Sequence, residues 1–181
     1  MVKKPQLLQA TVVAQSRLFE IECLHLRFDN GQERHFERIG GQENGSVMIV
    51  PLLDQETVLL VREYAAGVGD YVLGFPKGAV EKEEDWLKTA ARELQEEVGY
   101  GARRLSLLTR LSASPAYLCS MMRVVLAEEL YPQKAEGDEP EPMEVIPWKL
   151  RDIDALLHHS EFHEARSVAA LCLLERQRRD S

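Results

Sequence analysis

Three closely spaced glutamates near the middle of the chain are the residues best suited to chemistry. Glu93, Glu96 and Glu97 stand at i, i+3 and i+4 positions. In a helix, which turns about 100° per residue, these side chains occupy neighbouring positions on one side. Adjacent carboxylates repel one another unless a positive charge balances them. A hard divalent cation provides such a charge, because Mg²⁺ prefers carboxylate, water and phosphate oxygens.

The surrounding residues predict the helix that must position these glutamates. Asp85 is suited to cap its first turn, and Gly99 is suited to a left-handed cap at its end. Glu84 lies just outside the helix, where it can reach back to Arg92. A separate apolar stripe, expected to face a core, consists of Leu87, Ala91, Leu94 and Val98.

The stretch from Gly78 to Tyr100 resembles the Nudix box, Gly-x5-Glu-x7-Arg-Glu-U-x-Glu-Glu-x-Gly-U, in which U is a bulky apolar residue. Every fixed position is filled, and the only departure is the aromatic Tyr100 at the second U position. The fixed positions are Gly78, Glu84, Arg92, Glu93, Glu96, Glu97 and Gly99. This complete spacing outweighs the alternative interpretation, a solvated acidic helix face.

The resemblance implies a metal-dependent hydrolase of a nucleoside diphosphate linked to another moiety, X. In this family Mg²⁺ or Mn²⁺ is held by glutamates matching Glu93, Glu96 and Glu97, together with the backbone carbonyl that Lys77 provides here. The pairing of Arg92 with the first box glutamate orients Glu93.

The general base is left open among three glutamates. Glu139 and Glu141 lie in the acidic, proline-containing segment Tyr131 to Pro142 and correspond roughly to loop carboxylates of the family. Glu96 is the rival candidate. A loop of this kind is able to complete a site beside a bound metal.

Four further residues are candidates for substrate binding. Arg62 and Glu63 end an apolar run, and Arg62 is expected to hold a phosphate through two hydrogen bonds. Pro115 lies sixteen residues after Gly99, a spacing found in the ADP-ribose pyrophosphatase-like branch of the family. Tyr117 is a candidate for stacking on a base, although packing at a rim is the alternative.

The resemblance to that branch extends beyond the box. The segments REYAAG, GFPKG, EGDEPEP and EARSVAAL are similar to those of bacterial hydrolases of ADP compounds. Ser120, Met121 and Met122 stand where the branch usually has a glutamate, which favours a broad specificity for ADP-X compounds. ADP-ribose, NADH and diadenosine triphosphate are the candidate substrates. The alternatives are a nucleotide-binding sensor without catalysis and an isoprenoid diphosphate isomerase that recruits Cys119.

The order of elements predicts an α/β fold, a Nudix α/β/α sandwich with a mixed sheet. Residues 1–44 are expected to form an antiparallel β module for dimerisation, and residues 45–181 the hydrolase domain. Within the module, Asn30-Gly31 predicts a hairpin turn. A phase change in the apolar alternation predicts a bulge near Cys23. A helix is expected from Phe162 to Arg179.

Composition limits the partners and the location. The net charge of −8 argues against a nucleic-acid partner, which selects for a basic surface. No apolar run is long enough to span a membrane, and no signal peptide is recognised. The three cysteines are far apart and predict neither a disulfide framework nor a zinc site. We therefore expect a cytoplasmic homodimer that acts on an ADP-containing small molecule.

Overall fold

A computed structural model describes residues 2–40, 44–137 and 140–180, and their contacts divide into two units. The first unit contains the residues before position 44 together with Ser112–Met121. The second unit contains the remainder of the chain from Asn44 onward. Glu139, one of the predicted base candidates, lies outside the described residues.

The first unit is built on a three-stranded antiparallel sheet in the order β1-β2-β3. Its strands are β1 (Gln6–Gln15), β2 (Glu20–Arg27) and β3 (Glu33–Gly40). The predicted hairpin between β2 and β3 is confirmed. Gly31 has a φ of 79°, and the amide of Phe28 donates a hydrogen bond to the carbonyl of Gln32 at 2.8 Å.

The predicted bulge near Cys23 is wrong. The register between β2 and β3 is unbroken, and the irregularities lie in β1, between Leu7 and Gln9 and between Val12 and Ala14. Residues Glu20 to Leu26 are all partly buried, so β2 has no single buried face. Alternation of apolar residues shows which side chains face the core only where one face of the sheet is buried and the other is exposed. The change in alternation near Cys23 therefore does not indicate a bulge.

The segment Ser112–Met121 runs beside β3 in the first unit. The amide of Ile39 donates a hydrogen bond to the carbonyl of Tyr117 at 2.7 Å. The amide of Cys119 donates to the carbonyl of Ile39 at 3.4 Å. These bonds extend the sheet by a short parallel bridge between Ile39 and Leu118.

The second unit contains a seven-stranded mixed sheet. The strands are β4 (Ser46–Asp54), β5 (Thr57–Ala65), β6 (Asp70–Gly74), β7 (Lys77–Ala79), β8 (Tyr100–Leu111), β9 (Met122–Pro132) and β10 (Glu144–Lys149). The central path of the sheet runs β10-β5-β4-β9-β8, with β6 paired to β5 and β7 paired to β4. Among the described strands of this sheet, the β4–β9 pair is parallel and the others are antiparallel.

Both faces of this sheet are buried, which agrees with the continuous run of apolar residues in β4. Val47 and Ile49 of β4 pack in the same cluster as Leu94 of the box helix. Met48 and Val50 point the other way and pack with Leu171 of the C-terminal helix. The predicted α/β/α sandwich with a mixed sheet is therefore confirmed.

The helices differ from their predicted bounds mainly at the C-terminus. Helix α1 spans Trp86–Glu93, a short α2 spans Ile153–Leu157 after a 3₁₀ turn at Leu150–Asp152, and α3 spans Ala165–Arg179. The predicted start of α3 at Phe162 is wrong, because the Glu164 side chain caps the helix by accepting the Ser167 amide at 2.8 Å. In the described part of the chain, no helix has the length and apolar character needed to cross a bilayer.

Candidate active site

Helix α1 and the helical turn that follows it carry Glu93, Glu96 and Glu97, and this segment is capped at both ends as the sequence predicts. Oδ1 of Asp85 accepts the amide of Leu87 at 2.9 Å. Gly99 ends the helical segment with a φ of 80°. After Glu93 the helix widens into a π-helical turn over Leu94–Val98, which the sequence does not predict. This turn alters the direction of the side chains that follow Glu93.

Arg92 binds three of the box carboxylates at once. Its guanidinium lies 3.5 Å from Glu84 Oε1, 2.9 Å from Glu93 Oε1 and 2.8 Å from Glu96 Oε2. Burial opposes the charge on Arg92, but attraction to Glu93 and hydrogen bonds to Glu96 and Glu84 outweigh it, so the pKa of Arg92 is raised. The predicted contact between Glu84 and Arg92 is confirmed, and Glu93 is oriented by the same guanidinium.

Glu97 is a buried carboxyl with a strongly raised pKa. It is only 7% exposed, and its Oε2 accepts the amide of Lys77 at 3.3 Å. Burial is the main cause that raises the pKa of Glu97 to about 8; Lys77 opposes the rise and the nearby charge of Glu93 adds to it. The fold therefore disfavours negative charge on Glu97 unless a further cation compensates it.

Gly78 leaves room for the side chain of Glu93, which occupies the space that a Cβ at position 78 would fill. A Cβ added at Gly78 would lie 2.7 Å from Cγ of Glu93 and closer still to its Cδ and Oε1. Glu93 itself is 7% exposed, so it has little space into which to move. The first box residue thus allows strand β7 to approach the carboxylate closely.

The residues present suit a hard divalent cation. Arg92 binds Glu84, Glu93 and Glu96, and the ammonium group of Lys77 binds Glu63. Glu97 accepts a hydrogen bond from the backbone amide of Lys77. As they stand, no three Asp, Glu, His or Cys side chains within the described ranges are arranged to hold a metal ion. Glu96 is turned towards Arg92 and would have to exchange this partner to become a ligand. The surplus of carboxylate oxygens nevertheless fits the preference of Mg²⁺.

The acidic segment bounds a cavity beside the box glutamates. The amides of Gln133 and Ala135 donate to the carbonyls of Gly99 and Gln95 at 3.0 and 3.1 Å, anchoring the start of the segment. The cavity has a volume of about 320 Å³, and its lining includes Glu96, Glu97 and Glu141. The structure thus brings one predicted loop carboxylate, Glu141, to the same cavity as two box glutamates.

Tyr71 holds Glu141 and was not among the residues singled out from the sequence. Its hydroxyl donates a hydrogen bond to Glu141 Oε1 at 2.7 Å, and this bond is the main cause that raises the pKa of Tyr71. No sequence signal reveals the pair, because 70 positions separate the two residues.

The two charged residues at the end of β5 already have partners. The Arg62 guanidinium donates to Glu161 at 2.8 Å and also binds Glu144. These bonds raise the pKa of Arg62, and the bond to Glu161 makes the largest contribution. Glu63 binds the ammonium group of Lys77. Arg62 would therefore have to leave a carboxylate in order to hold a phosphate, whereas Glu63 stands next to the box through Lys77.

Pro115 and Tyr117, the remaining candidates for substrate binding, belong to the first unit. Together with Phe36 and Cys119 they line a groove of about 410 Å³ in that unit. Tyr117 is 65% exposed, so its ring is available to stack on another group. Their role in substrate binding stays a prediction.

Comparison with known proteins gives consistent matches over the whole chain. A model described as the NudE-type Nudix hydrolase N-terminal domain matches residues 5–38, and a NUDIX domain model matches residues 43–172. The ADP compounds hydrolase NudE of Escherichia coli (strain K12) is 45% identical, covering 96% of this chain and 92% of the relative. The ADP-ribose pyrophosphatase of Bacillus subtilis (strain 168) is 29% identical, over 93% and 94% of the two chains. A crystal structure of an ADP compounds hydrolase has a TM-score of 0.91 and 43% identity, covering 99% of this chain and 97% of that one.

Proposed function

Because this chain belongs to the Nudix hydrolase family, we propose that it hydrolyses the diphosphate linkage of ADP-X compounds and releases AMP. The observation that carries this proposal is the buried carboxylate cluster of the complete box, with Glu93 and Glu97 each 7% exposed. The full-length similarity to relatives named as hydrolases of ADP compounds supports the substrate class. ADP-ribose, NADH and diadenosine triphosphate are the candidate substrates.

Glu93, Glu96, Glu97 and the backbone carbonyl of Lys77 are the proposed ligands of Mg²⁺ or Mn²⁺. A divalent ion bound there supplies positive charge against the diphosphate and makes a water molecule more acidic. Glu97 is suited to binding a cation, because burial disfavours its negative charge unless a positive charge compensates it. Arg92 keeps Glu93 in place, and Gly78 leaves room for its side chain.

Glu141 is our proposed general base, with Glu139 and Glu96 as the rivals. Its carboxylate lines the cavity beside Glu96 and Glu97, and Tyr71 fixes its direction. In this position Glu141 would accept a proton from the attacking water. The phosphates would be held by Arg62 after it exchanges one of its carboxylate partners.

The pH dependence of the rate distinguishes these bases. We expect Glu141→Gln to lower kcat by about 10²-fold or more and to remove the limb of the pH–rate profile that rises towards alkaline pH. Glu139→Gln and Glu96→Gln are the matched variants, since each removes one charge from a rival base. If Glu139→Gln abolishes the rising limb and Glu141→Gln leaves it intact, then Glu139 is the base.

The function itself is tested by product identification. Purified protein is incubated with Mg²⁺ or Mn²⁺ and each of the three candidate substrates, and AMP is measured by chromatography. Water labelled with heavy oxygen identifies the attacked phosphorus. Turnover of isopentenyl diphosphate without AMP release would favour an isomerase, and nucleotide binding without any turnover would favour a sensor.

We further propose that residues 1–44 form a dimerisation module of a cytoplasmic homodimer and that residues 45–181 form the hydrolase domain. The three-stranded sheet exposes large apolar side chains, which a second copy of the sheet would cover. These side chains are Leu7, Val12, Val13, Phe19 and Phe36. The three cysteines are free thiols, which is consistent with a reducing compartment.

Sedimentation tests the dimer directly. We expect the mass of two chains at micromolar concentration, and we expect Val13→Glu to shift the equilibrium towards one chain because it places a charge in the proposed interface. Val2→Glu is a suitable control, since Val2 lies before the sheet and is fully exposed. A native protein that sediments as one chain at this concentration contradicts the proposal.

A further inference from the structure

A second cavity of the hydrolase domain adjoins the box on the side of Lys77. It has a volume of about 480 Å³ and lies between the end of β5, strand β6 and the start of α3. Lys77 and Glu63 form part of its wall. Because the Lys77 amide also donates to Glu97, this cavity opens next to the carboxylates proposed to act on the diphosphate. It is therefore within reach of one half of a bound ADP-X molecule.

The charged side chains of the cavity wall are paired with one another. Lys77 binds Glu63, and Arg166 Nε lies 2.6 Å from Glu164 Oε1. Glu164 is further engaged by the amide of Ser167 at the start of α3. Among the described residues, His163 and Tyr64 are the other titratable groups in the lining of this cavity. Two internal ion pairs leave no surplus charge to attract an anion, so the wall suits an uncharged group.

Tyr64 supplies an exposed aromatic ring to this wall. Its side chain is 52% exposed, although neighbouring residues Val61 and Val72 in the same wall are almost fully buried. The ring is fixed by an edge contact with Tyr71, with centroids 5.6 Å apart and an angle of 72° between the planes. One neighbour thus holds the ring in place while its remaining surface is open to a ligand.

We propose that this cavity is the subsite for the X group and that Tyr64 stacks on a planar, unsaturated nitrogen-containing ring carried by X. This inference rests on the proposed hydrolysis of ADP-X compounds and adds to it a binding site and a basis for ranking substrates. Stacking on an aromatic side chain accepts any base, because every base offers a π face. X groups that carry the dihydronicotinamide ring of NADH or an adenine ring gain this contact, whereas the ribose of ADP-ribose does not.

Substitution of Tyr64 separates the contributions of the ring and of the hydroxyl. We expect Tyr64→Leu, which keeps an apolar side chain without a π face, to lower kcat/KM for NADH and diadenosine triphosphate about tenfold or more. The loss should appear mainly as a higher KM, because stacking far from the reacting phosphorus stabilises the ground state and the transition state alike. ADP-ribose should be hydrolysed within about twofold of the native rate. Tyr64→Phe, which retains the π face, should preserve the native ranking of all three substrates.

The controls keep the outcomes distinct. Leu107→Ala removes an exposed apolar side chain on β8, outside the cavity, and should leave the ranking unchanged. Thermal unfolding of each variant shows whether the fold is intact. Equal losses of kcat/KM on all three substrates would overturn the proposal, since the ring would then not distinguish one X group from another. Unchanged kcat/KM on all three would overturn it as well. Failure of the native protein to release AMP from any of the three candidate substrates would instead contradict the proposed function.

Discussion

Glu97→Gln is expected to lower kcat by about 10²-fold or more in the presence of Mg²⁺. The substitution keeps the volume of the side chain and removes one negative charge from the proposed metal site. Electrostatic stabilisation of the transition state is usually the largest contribution to catalysis. Loss of a single stabilising group commonly lowers kcat by about 10²- to 10³-fold. Steady-state kinetics over a range of Mg²⁺ concentrations measures the effect. A variant with near-native kcat would show that Glu97 is not a ligand.

The same substitution should stabilise the protein when metal is removed. The pKa of Glu97 is raised from 4.5 to about 8 in the folded chain, so the folded state binds this proton more tightly than the unfolded state does. The stability that this proton contributes is complete below about pH 4.5 and is lost as the pH rises towards 8. Glutamine has no such dependence, because it does not ionise.

Thermal unfolding in the presence of a chelator measures this difference. The Tm of Glu97→Gln should exceed the native Tm at pH 8 and approach it at pH 5. In a domain of this size, each kcal/mol of difference in the free energy of unfolding shifts Tm by about 2–4 °C. Glu81→Gln provides the matched control, because Glu81 is an exposed glutamate in the loop before α1. If Glu97→Gln and the native protein have the same Tm at both pH values, Glu97 is not the buried, perturbed group described above.

Gly78→Ala is expected to reduce kcat by about 10²-fold and to destabilise the fold by about 1–3 kcal/mol. The added methyl group would overlap the side chain of Glu93, whose Cγ lies 2.7 Å from the Cβ position. Overpacking of a buried site typically costs this much stability. A displacement of about 1 Å at a reacting group is sufficient for a rate loss of this size. Kinetics and denaturant unfolding of the same preparation measure the two effects.

Gly67→Ala is the matched control for this glycine substitution. A Cβ at Gly67 meets no other atom within 4 Å. Its kcat and stability should therefore remain near the native values. Should Gly78→Ala retain native activity, the close approach of Gly78 to Glu93 would have no part in catalysis.

The sequence by itself determined the box and the features that depend on near neighbours. Asp85 caps α1, Gly99 ends the helical turn that follows it, Glu84 reaches Arg92 and Gly31 closes a hairpin, all as predicted. Each of these features is fixed by partners within about eight positions along the chain. Capping and turn geometry depend on residue type and local backbone angles, so a short stretch of sequence is sufficient to predict them.

The partners of the side chains around the box were decided only by the tertiary structure. Arg62 binds Glu161, which is 99 positions away, and Glu141 is held by Tyr71 across 70 positions. The π-helical turn after Glu93 likewise has no pattern that predicts it. Pairings of this kind depend on which strands become neighbours in the sheet and on how α3 packs against it. One sequence carries no periodic signal for such contacts, because their free energy arises only once the whole core has formed.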